Sequence, residues 1–405
     1  MKQLFAHQQK IIDDDPKKCG LFLGTGGGKT LTALSLAKGK TLVICPKTTS
    51  LDSTWTKDGH DVTVISKEKF RSDHEWLLRY DTVIIDEAHT VSGVQPTIVH
   101  KNKQPRPKTS QLFDACVSYI KENKPDRLYL LTATPVRNPM AVYALATLLG
   151  KDWNFHQFRD TFYIPVRMGF KEIWMPKKDT ATQERLGKAV QKLGYTGKLD
   201  DWVDLPEQTH KIINIPLSKE QTSKLRELPL DFPDPLVLVM KKHQVEQGVL
   251  KGDEYNKSET FPTGKLEAIE DLYEEFGKIL VFAKYTEQID QIKDHFKGEE
   301  VYTLDGRTKD RGKVIDSANS ATRCIVVAQS GVSAGYELPS FRCTIFASMD
   351  YSYVNLNQAW GRTLRINNLQ KNLYVYLLSG EIDKAVYKSV AINKEDFQIA
   401  IYEKN

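Results

Sequence analysis

The chain has 405 residues, enough for two or three domains that each bury a core of their own. Hydrophobic residues make up 40% and charged residues 27% of the chain, values typical of a soluble globular protein. The formal net charge of +5 suits a polyanionic partner without requiring one, so local clusters of basic residues are more informative than the total.

The distribution of apolar residues and cysteines excludes several classes of protein. No apolar run approaches the ~20 residues of a membrane span, so we expect no membrane partner. The segment from Met1 to Lys10 has no hydrophobic signal region, and we therefore expect a cytoplasmic protein. The five cysteines are scattered without a Cys-x-x-Cys pair, which argues against a disulfide framework and against a zinc module.

Short apolar runs alternate with longer amphipathic stretches, a pattern that predicts parallel α/β architecture in two blocks. The first block has strand candidates at Leu42–Cys45, Val62–Ile65, Thr82–Ile85 and Leu128–Leu131. The second block has them at Ile279–Phe282, Val301–Leu304, Cys324–Val327, Cys343–Phe346 and Leu373–Leu377. Between the blocks the pattern becomes helical, with a candidate hairpin at Tyr163–Pro176 around Gly169.

The stretch CGLFLGTGGGKT, residues 19–30, predicts a strand, a glycine-rich loop and a helix. Glycines let main-chain N–H groups converge on phosphate oxygens, and the helix N-terminus adds its positive end. In this interpretation Lys29 neutralises the β- and γ-phosphates of a nucleotide, and the Thr30 hydroxyl binds Mg²⁺. A plain turn is the alternative, because Leu23 stands where the strict pattern has its first glycine. The loop residues are Gly24, Thr25, Gly26, Gly27 and Gly28.

Two carboxylates follow the apolar strand candidate Thr82–Ile85, in the segment TVIIDEAH. A magnesium-bound nucleotide needs one carboxylate to hold the metal and another to orient or deprotonate the attacking water. Asp86 fits the first role and Glu87 the second. Solvated carboxylates at a strand end are the alternative, which the glycine-rich loop upstream argues against.

Together these segments resemble a superfamily 2 helicase, and further motifs of that superfamily occur in order. LFAHQ, residues 4–8, resembles the Q motif that reads adenine, with Gln8 as its glutamine. In the first half, motif Ia is resembled by TLVICPKTTSLDSTW (41–55), motif Ib by TVISKEKF (63–70) and motif III by LTATPVRN (131–138). In the second half, motif IV is resembled by ILVFAKYTEQID (279–290), the segment after it by LDGRTKDR (304–311), motif V by SGVSAGYEL (330–338) and motif VI by QAWGRTLRI (358–366).

The segments FHQFRDTFY, LPEQTHKIINIPLSKEQ and PTGKLEAIEDL narrow the resemblance to the Swi/Snf-like branch, particularly its short phage-encoded members. The resemblance covers nearly the whole chain, with two departures. Residues 90–108 look like an insertion, and GYTGKLDDW replaces the paired arginines often found before the LP element.

The resemblance implies two RecA-like lobes with parallel sheets, and helical protrusions between the motif III and motif IV regions. We place the first lobe at residues 1–205, with its protrusion at about 140–200, and the second at 206–405, with its protrusion at about 217–262.

The implied activity is that of an ATP-dependent DNA helicase or double-stranded DNA translocase that uses Mg²⁺ and acts on duplex, forked or branched DNA. The expected location is the cytoplasm, which would be the host cytoplasm if the chain is phage-encoded. Proteins of replication or recombination are further expected partners. The alternatives are an RNA helicase, which the Swi/Snf-like segments argue against, and a nucleotide-gated binding protein without unwinding.

Motif VI offers two arginines, Arg362 and Arg365, that share one face of a helix start. If the lobes close over a nucleotide, both can reach the γ-phosphate, where an arginine raises the rate of phosphoryl transfer by about 10³–10⁵. Gln358 on the same segment is counted among the nucleotide-site candidates and is expected to help position water or the lobe interface. From motif III the resemblance implies that Thr132 and Thr134 couple the nucleotide state to nucleic-acid contact, with a strand-end cap as the alternative.

Nucleic acid is expected at the loops that follow the strands, where phosphate contacts supply affinity without sequence readout. A separate basic segment, VHKNKQPRPK, has no acidic residue around it, and its prolines disfavour a helix. We expect a mobile basic loop that touches DNA or wedges a junction, with a solvated loop as the alternative. The candidates are Lys47, Thr48, Thr49, Lys67, Lys284, Arg307, Ser330 and Ser333 at strand ends, and Lys101, Lys103, Arg106 and Lys108 in the basic segment.

Overall fold

The computed structural model describes residues 4–47, 55–56, 61–101, 104–169, 171–252, 257–332, 336–364, 368 and 370–392. The chain passes from a first compact unit to a second between Val203 and Asp204. Each unit is built on one six-stranded sheet. In the described part of the chain, no helix is both long and apolar enough to span a membrane.

The first unit has a sheet whose strands all run parallel, in the order β10-β1-β7-β4-β2-β3. Its central strands are buried on both faces, as the apolar runs in the sequence predicted. These strands are β1 (Lys18–Leu23), β2 (Thr41–Cys45), β3 (Val62–Ser66), β4 (Thr82–Ile85), β7 (Arg127–Leu131) and β10 (Gly194–Gly197). The helices are α1 (Ala6–Asp13), α2 (Lys29–Leu36), α3 (Lys67–Asp73), α4 (Gln111–Asn123), α5 (Pro139–Leu148), α6 (Phe155–Phe162) and α7 (Thr180–Gln191).

The second unit repeats the plan, with six parallel strands in the order β11-β18-β17-β14-β16-β15. They are β11 (Glu207–Asn214), β14 (Lys278–Ala283), β15 (Val301–Leu304), β16 (Cys324–Gln329), β17 (Cys343–Phe346) and β18 (Asn372–Ser379). Its helices are α8 (Lys219–Asp231), α9 (Pro235–Glu246), α10 (Gly264–Phe276), α11 (Thr286–His295), α12 (Arg311–Ser320), α13 (Tyr353–Trp360) and α14 (Glu381–Tyr387), and a small two-stranded sheet pairs β12 (Val249–Leu250) with β13 (Glu259–Thr260).

The structure confirms the predicted fold class of two RecA-like α/β lobes with parallel sheets. All nine strand candidates are strands, and the helical stretch between the blocks forms α5 to α7 in the first unit and α8 to α9 in the second. Two strands of the six-stranded sheets, β10 and β11, were not predicted. The sequence of β11, EQTHKIIN, is largely polar and exposed because this strand lies at the edge of its sheet.

Two antiparallel hairpins project from the parallel scaffold of the first unit. The predicted hairpin at Tyr163–Pro176 is confirmed as β8 (Tyr163–Met168) and β9 (Lys171–Pro176), and Gly169 has the left-handed φ of 60° that its turn requires. We call residues 163–176 the second ribbon.

The expectation of a loop at the basic segment was wrong, because this segment forms a hairpin as well. Strand β5 (Val94–Lys101) pairs with β6 (Gln104–Thr109), and residues 94–109 are called the first ribbon. Two prolines of the segment, Pro105 and Pro107, lie within β6. A two-stranded ribbon tolerates them because each of its strands has an edge where no N–H is needed.

A buried cluster of charged and polar groups ties the second unit together. The Asp383 carboxylate, which is fully buried, accepts hydrogen bonds from Lys265 Nζ at 2.7 Å, His243 Nε2 at 2.9 Å and Gln247 Nε2 at 3.0 Å. Lys265 Nζ also donates to the carbonyl of Ala347 at 2.6 Å. The cluster therefore joins α9 and α10 to the end of β17 and to the start of α14.

The same cluster brings ligand atoms of His243, Glu246 and Asp383 within 4.8 Å of one another. Each is already engaged, however, since Glu246 accepts the main-chain N–H groups of Ile382 and Asp383, and His243 Nδ1 lies 2.9 Å from the Tyr285 hydroxyl. The positive charge that balances Asp383 is the Lys265 ammonium. We therefore interpret the cluster as a structural tie.

Replacing Lys265 with Met should strongly destabilise the second unit, because it leaves the Asp383 carboxylate buried without its cation. Breaking a buried pair in this way costs about 3–5 kcal/mol. The measurement is the melting temperature of the full chain, followed through the transition that reports this unit. Lys384→Met is the matched control, since Lys384 is exposed on the same helix as Asp383. Equal melting of the two variants would contradict a structural role for Lys265.

Candidate nucleotide site in the first unit

The candidate site lies at the carboxyl end of the parallel strands β1, β4 and β7. Ligands of open α/β sheets bind at this edge, because the loops that follow the strands meet there. Strand β7 lies between β1 and β4, so the segment after β7 is placed between the glycine-rich loop and the Asp-Glu-Ala-His segment.

The glycine-rich loop leads directly from β1 into α2, as predicted. Gly26 and Gly28 have φ values of 83° and 72°, which side chains with a Cβ rarely adopt. Lys29 Nζ donates to the carbonyls of Leu23 at 2.9 Å and Gly24 at 3.1 Å, so its ammonium lies inside the curve of the loop. The Thr25 hydroxyl is buried and has no hydrogen-bond partner in the structure. A phosphate in this loop would supply an acceptor for it.

Gln8 fastens α1 to this loop. Its Oε1 accepts the N–H of Phe5 at 2.9 Å, which orients the amide so that Nε2 donates to the carbonyl of Gly28 at 3.1 Å. Nε2 also lies 3.2 Å from the hydroxyl of Thr32, and Gln8 is only 1% exposed. The predicted adenine-reading residue thus lies beside the loop, with its amide already engaged by the loop backbone.

Sequence reasoning missed two neighbours of the loop. His7 Nε2 lies 3.1 Å from the carbonyl of Gly27, and the His7 ring stacks on Trp202 with the ring centres 3.7 Å apart. Burial lowers the pKa of His7, against the opposing effect of its bond to Gly27. The position of His7 next to Gln8 was a usable signal. Nothing local to Trp202 indicated that it would meet the N-terminal helix.

Asp86 and Glu87 follow β4 directly, and Glu87 has the left-handed φ of 45° that is uncommon for a residue with a side chain. Burial and the adjacent Glu87 raise the pKa of Asp86 to about 7. Burial also opposes charge on Glu87, but its hydrogen bond with His89 and the nearby Lys29 and Lys67 outweigh it and lower the pKa of Glu87 to about 2. Lys29 therefore lies close enough to influence both carboxyl groups.

The Glu87 backbone is held by Lys67, which corrects our assignment of this lysine. Lys67 was predicted to contact nucleic acid, but it is 5% exposed and its Nζ donates to the carbonyl of Glu87 at 2.9 Å and to the Thr90 hydroxyl at 2.5 Å. Thr90 Oγ1 donates to the same carbonyl at 2.9 Å. Because its ammonium is enclosed here, Lys67 supports the turn that carries Glu87 and offers no surface to DNA.

His89 links the carboxylates to the segment after β7. Its Nδ1 lies 3.2 Å from Glu87 Oε2 and 2.9 Å from the Thr132 hydroxyl, and the same hydroxyl accepts the N–H of Thr134 at 3.0 Å. Thr132 and Thr134 are both buried. The two residues predicted to couple nucleotide state to nucleic-acid contact are thus connected to Glu87 through one imidazole.

The residues present fit a magnesium nucleotide. The loop has a buried hydroxyl without a partner and is shaped by the left-handed Gly26 and Gly28. A carboxylate and the Thr30 hydroxyl supply the oxygen ligands that Mg²⁺ prefers. A divalent cation beside Asp86 would also favour its charged form, since an opposite charge lowers the pKa of a carboxyl.

The predicted motif VI residues lie in the second unit. Arg362 is 5% exposed, and its guanidinium donates to the carbonyls of Gln358 at 2.8 Å and Tyr336 at 2.6 Å, which ties motif VI to motif V. Gln358 lies on α13. Arg365 is outside the described residues. The role of both arginines on a phosphate stays a prediction.

The strand-end candidates for nucleic acid differ in how their charge is used. Lys47, at the end of the segment after β2, is exposed. Lys284 lies after β14 with its Nζ 3.7 Å above the ring of Tyr351, and burial lowers its pKa. Arg307 is paired with Asp290 at 2.8 Å and Asp305 at 2.6 Å, with about half of its side chain exposed.

Ser330 is a second correction, because it is 3% exposed and its hydroxyl donates to the carbonyl of Ala283 at 3.3 Å. It joins two neighbouring strand ends and has no surface to offer a phosphate.

The candidates Thr48, Thr49, Ser333 and Lys103 lie outside the described residues, while Lys101 ends β5 and Arg106 and Lys108 lie in β6.

Comparison with known proteins decides the family. The SNF2-related domain matches residues 52–270, more than half of the chain, and the helicase conserved C-terminal domain matches residues 264–367. The chain belongs to the SNF2-related domain family. This membership confirms the Swi/Snf-like resemblance seen in the sequence.

Among curated proteins, this SNF2-related chain is 23% identical over 343 residues to an uncharacterized ATP-dependent helicase of Mycoplasma pneumoniae, covering 78% of the chain and 30% of that protein. It is 21% identical over 366 residues to the SWI/SNF-related matrix-associated actin-dependent regulator of chromatin subfamily A-like protein 1 of Drosophila melanogaster, covering 86% of the chain and 45% of that protein. The chain thus spans less than half the length of either relative.

Among solved structures, the chain resembles the Sulfolobus solfataricus SWI2/SNF2 ATPase core in complex with dsDNA, at 19% identity and a TM-score of 0.41. The alignment covers 98% of this chain and 94% of that one.

Replacing Gly28 with Ala should disrupt the candidate site. A Cβ at this position would lie 2.3 Å from Gln8 Nε2, and the left-handed backbone would itself cost about 1–2 kcal/mol. We expect affinity for a fluorescent ATP analogue to fall by roughly tenfold or more, which corresponds to ~1.4 kcal/mol.

Gly150→Ala is the control for the backbone effect, since Gly150 has a φ of 73° and nothing within 4 Å of its Cβ position. It should lower thermal stability while leaving nucleotide affinity as it was. If both variants bound the analogue equally, the contact between Gly28 and Gln8 would have no part in the site.

Proposed function

We propose that the chain is an ATP-driven DNA motor, a helicase or double-stranded DNA translocase. The observation that carries the proposal is the convergence of Lys29, Asp86 and Glu87 at one edge of the first sheet, beside a loop that suits phosphate. Membership of the SNF2-related domain family supports it. The resemblance of sequence segments to short phage-encoded members supports the same class of activity.

In this proposal Lys29 leaves the carbonyls of Leu23 and Gly24 and neutralises the β- and γ-phosphates of ATP. Thr30 and Asp86 would hold Mg²⁺, which neutralises charge on the phosphate oxygens. Glu87 orients or deprotonates the attacking water, a role for which its carboxylate is charged at neutral pH. The clamp of Lys67 and Thr90 on the Glu87 carbonyl keeps that carboxylate in place.

The contact of His89 with both Glu87 and Thr132 supplies a physical route for coupling. If the Glu87 side chain shifts on hydrolysis, His89 Nδ1 loses its contact with the Glu87 carboxylate and its contact with the Thr132 hydroxyl changes. That hydroxyl accepts the N–H of Thr134, so the change reaches the segment after β7. We propose that the segment after β7 responds to nucleotide state in this way. Arg362 and Arg365 are proposed to stabilise charge on the reacting phosphate, with Gln358 positioning water or the nucleotide.

DNA is proposed as the nucleic-acid partner, with contacts at cations that follow the strands, such as Lys47 and Lys284. The Swi/Snf-like segments of the sequence support this choice, because that resemblance implies a motor on double-stranded DNA. Contacts of this kind are made to phosphates and carry little sequence information.

Two variants test the chemistry. Lys29→Ala should abolish ATP hydrolysis, because it removes the charge that faces the phosphates. Glu87→Gln should bind ATP but turn it over about 10²–10⁴-fold more slowly, since it keeps the shape of the side chain and loses the base. Steady-state phosphate release measures turnover, and equilibrium binding of an ATP analogue measures affinity. Hydrolysis by the Glu87→Gln protein at the rate of the unaltered chain would refute the role given to Glu87.

Duplex DNA should stimulate ATP hydrolysis, and the stimulation should decline as salt is raised, because the proposed contacts are to phosphates. The measurement compares turnover with duplex, single-stranded, forked and four-way DNA and with RNA at several salt concentrations. Stimulation by RNA and by none of the DNA forms would establish the RNA helicase alternative instead.

A further inference from the structure

The two ribbons carry as much net positive charge as the whole chain. Residues 94–109 and 163–176 together hold six lysines and arginines against a single glutamate, a formal charge of +5. This equals the net charge of the whole chain, so all the remaining residues together are electrically balanced. A local excess of this kind concentrates positive potential where the ribbons project, and such a field attracts polyanions.

The two ribbons lie side by side. Strand β5 of the first ribbon contacts β9 of the second. Ile98 of the first ribbon and Trp174 of the second both pack against the same hydrophobic core of the first unit. The ribbons are therefore adjacent and anchored on one core.

The first ribbon has an apolar face and a basic face. The pairing register places Ile98 opposite Pro107 and Val99 opposite Arg106. Because side chains alternate along a strand, Arg106 and Lys108 lie on the face away from the one that carries Ile98. Lys108 is exposed, while Arg106 is 40% exposed and 3.6 Å from Asp114. The face turned away from the core thus carries cations.

The second ribbon is anchored on one face and bare on the other. Tyr163 is 4% exposed and Trp174 stacks beneath the Arg159 guanidinium at 3.8 Å, and the register puts both on the same face. The opposite face carries Ile164, Ile173 and Met175, which are 46%, 36% and 44% exposed. Exposure of an apolar strip to water is unfavourable, so this face of the ribbon is suited to a ligand with apolar surface.

We propose that the two ribbons form a binding surface for branched DNA, separate from the strand-end loops. The first ribbon neutralises backbone phosphates. The second ribbon lays Ile164, Ile173 and Met175 against bases that are unstacked at a fork or junction, as apolar side chains do when they enter the base stack. The charge of the adjoining ribbon favours nucleic acid over a protein partner for this strip. The inference rests on the proposed function, since it names the form of DNA on which that motor acts.

The test uses the full-length chain without nucleotide, with fluorescently labelled duplex DNA, forked DNA and duplex RNA at several salt concentrations. The first-ribbon variant is R106Q/K108Q, and the second-ribbon variant is I164T/I173T/M175T. The charge control is K121Q/K188Q, which removes two exposed lysines elsewhere in the first unit. The apolar control is I212T/V239T/M240T, which alters three exposed apolar residues of the second unit.

The first-ribbon variant should weaken binding to both DNA forms and flatten the salt dependence by up to about 0.9 logarithmic unit for each phosphate that is no longer neutralised. The second-ribbon variant should bind duplex DNA normally and lose roughly tenfold of its preference for the fork, the part that unstacked bases supply. The conservative variant R106K/K108R should retain affinity, which separates loss of charge from loss of folding. Circular dichroism and melting temperature check the fold of every variant.

Ribbon variants that bind all three nucleic acids as their controls do would overturn the inference. A loss confined to duplex RNA would overturn the assignment to DNA, and unchanged fork preference in the second-ribbon variant would leave its apolar strip to a protein partner and refute the contact with bases. Because these measurements need no hydrolysis, they stand apart from the proposed function, which fails instead if the unaltered chain does not turn over ATP.

Discussion

The first unit is organised around the need to balance buried charge. Asp86 and Glu87 are placed at the end of a fully buried strand, where an isolated carboxylate would be expensive. Lys29 and Lys67 supply the opposing charges, each from a different element. The glycine-rich loop positions one lysine and the start of α3 positions the other, so the loop, the Asp-Glu-Ala-His segment and α3 must all be in register for the site to form.

The second unit meets the same constraint with a different outcome. Its buried carboxylate, Asp383, has Lys265 and His243 fixed against it, and its remaining acceptor capacity is taken up by Gln247 and the N–H of Met349. The charges are balanced within the protein, which makes the cluster a structural tie between the helical protrusion and the sheet. In the first unit the balance includes a lysine that donates to loop carbonyls and a buried hydroxyl without a partner, features that suit an anionic ligand.

Positive surface charge is carried by elements that take no part in these buried clusters. The ribbons lie between elements of the parallel scaffold of the first unit, so they can carry six basic residues without disturbing its buried charge balance. Lys67 is buried and acts within the protein, while the partly buried Lys29 donates to carbonyls of the glycine-rich loop. Lys108 of the first ribbon is exposed, where long-range attraction of a polyanion is effective.

The sequence by itself determined the architecture and predicted the residues of the nucleotide site. Runs such as Thr82–Ile85 and Cys343–Phe346 are largely apolar and are buried at every position. Continuous apolar runs of this kind are typical of parallel strands covered by helices on both faces, so the local pattern was enough to predict these strands. The glycine-rich loop and the Asp-Glu-Ala-His segment were predicted to form a nucleotide site because phosphate and Mg²⁺ require those residue types, and the structure places them after β1 and β4, on either side of β7. The edge strand β11 was missed because nearly all of its side chains are exposed, which leaves no apolar period.

Only the tertiary structure decided which polar residues are enclosed. Lys67 and Ser330 have the spacing expected of surface contacts, yet both are buried, because the strands beside them bring Glu87 and Ala283 within hydrogen-bond distance. The same is true of the contact between His89 and Thr132, which depends on β7 lying next to β4, and of the basic segment, whose prolines suggested a loop. Burial of a polar group depends on partners distant in sequence, and local pattern carries no record of them.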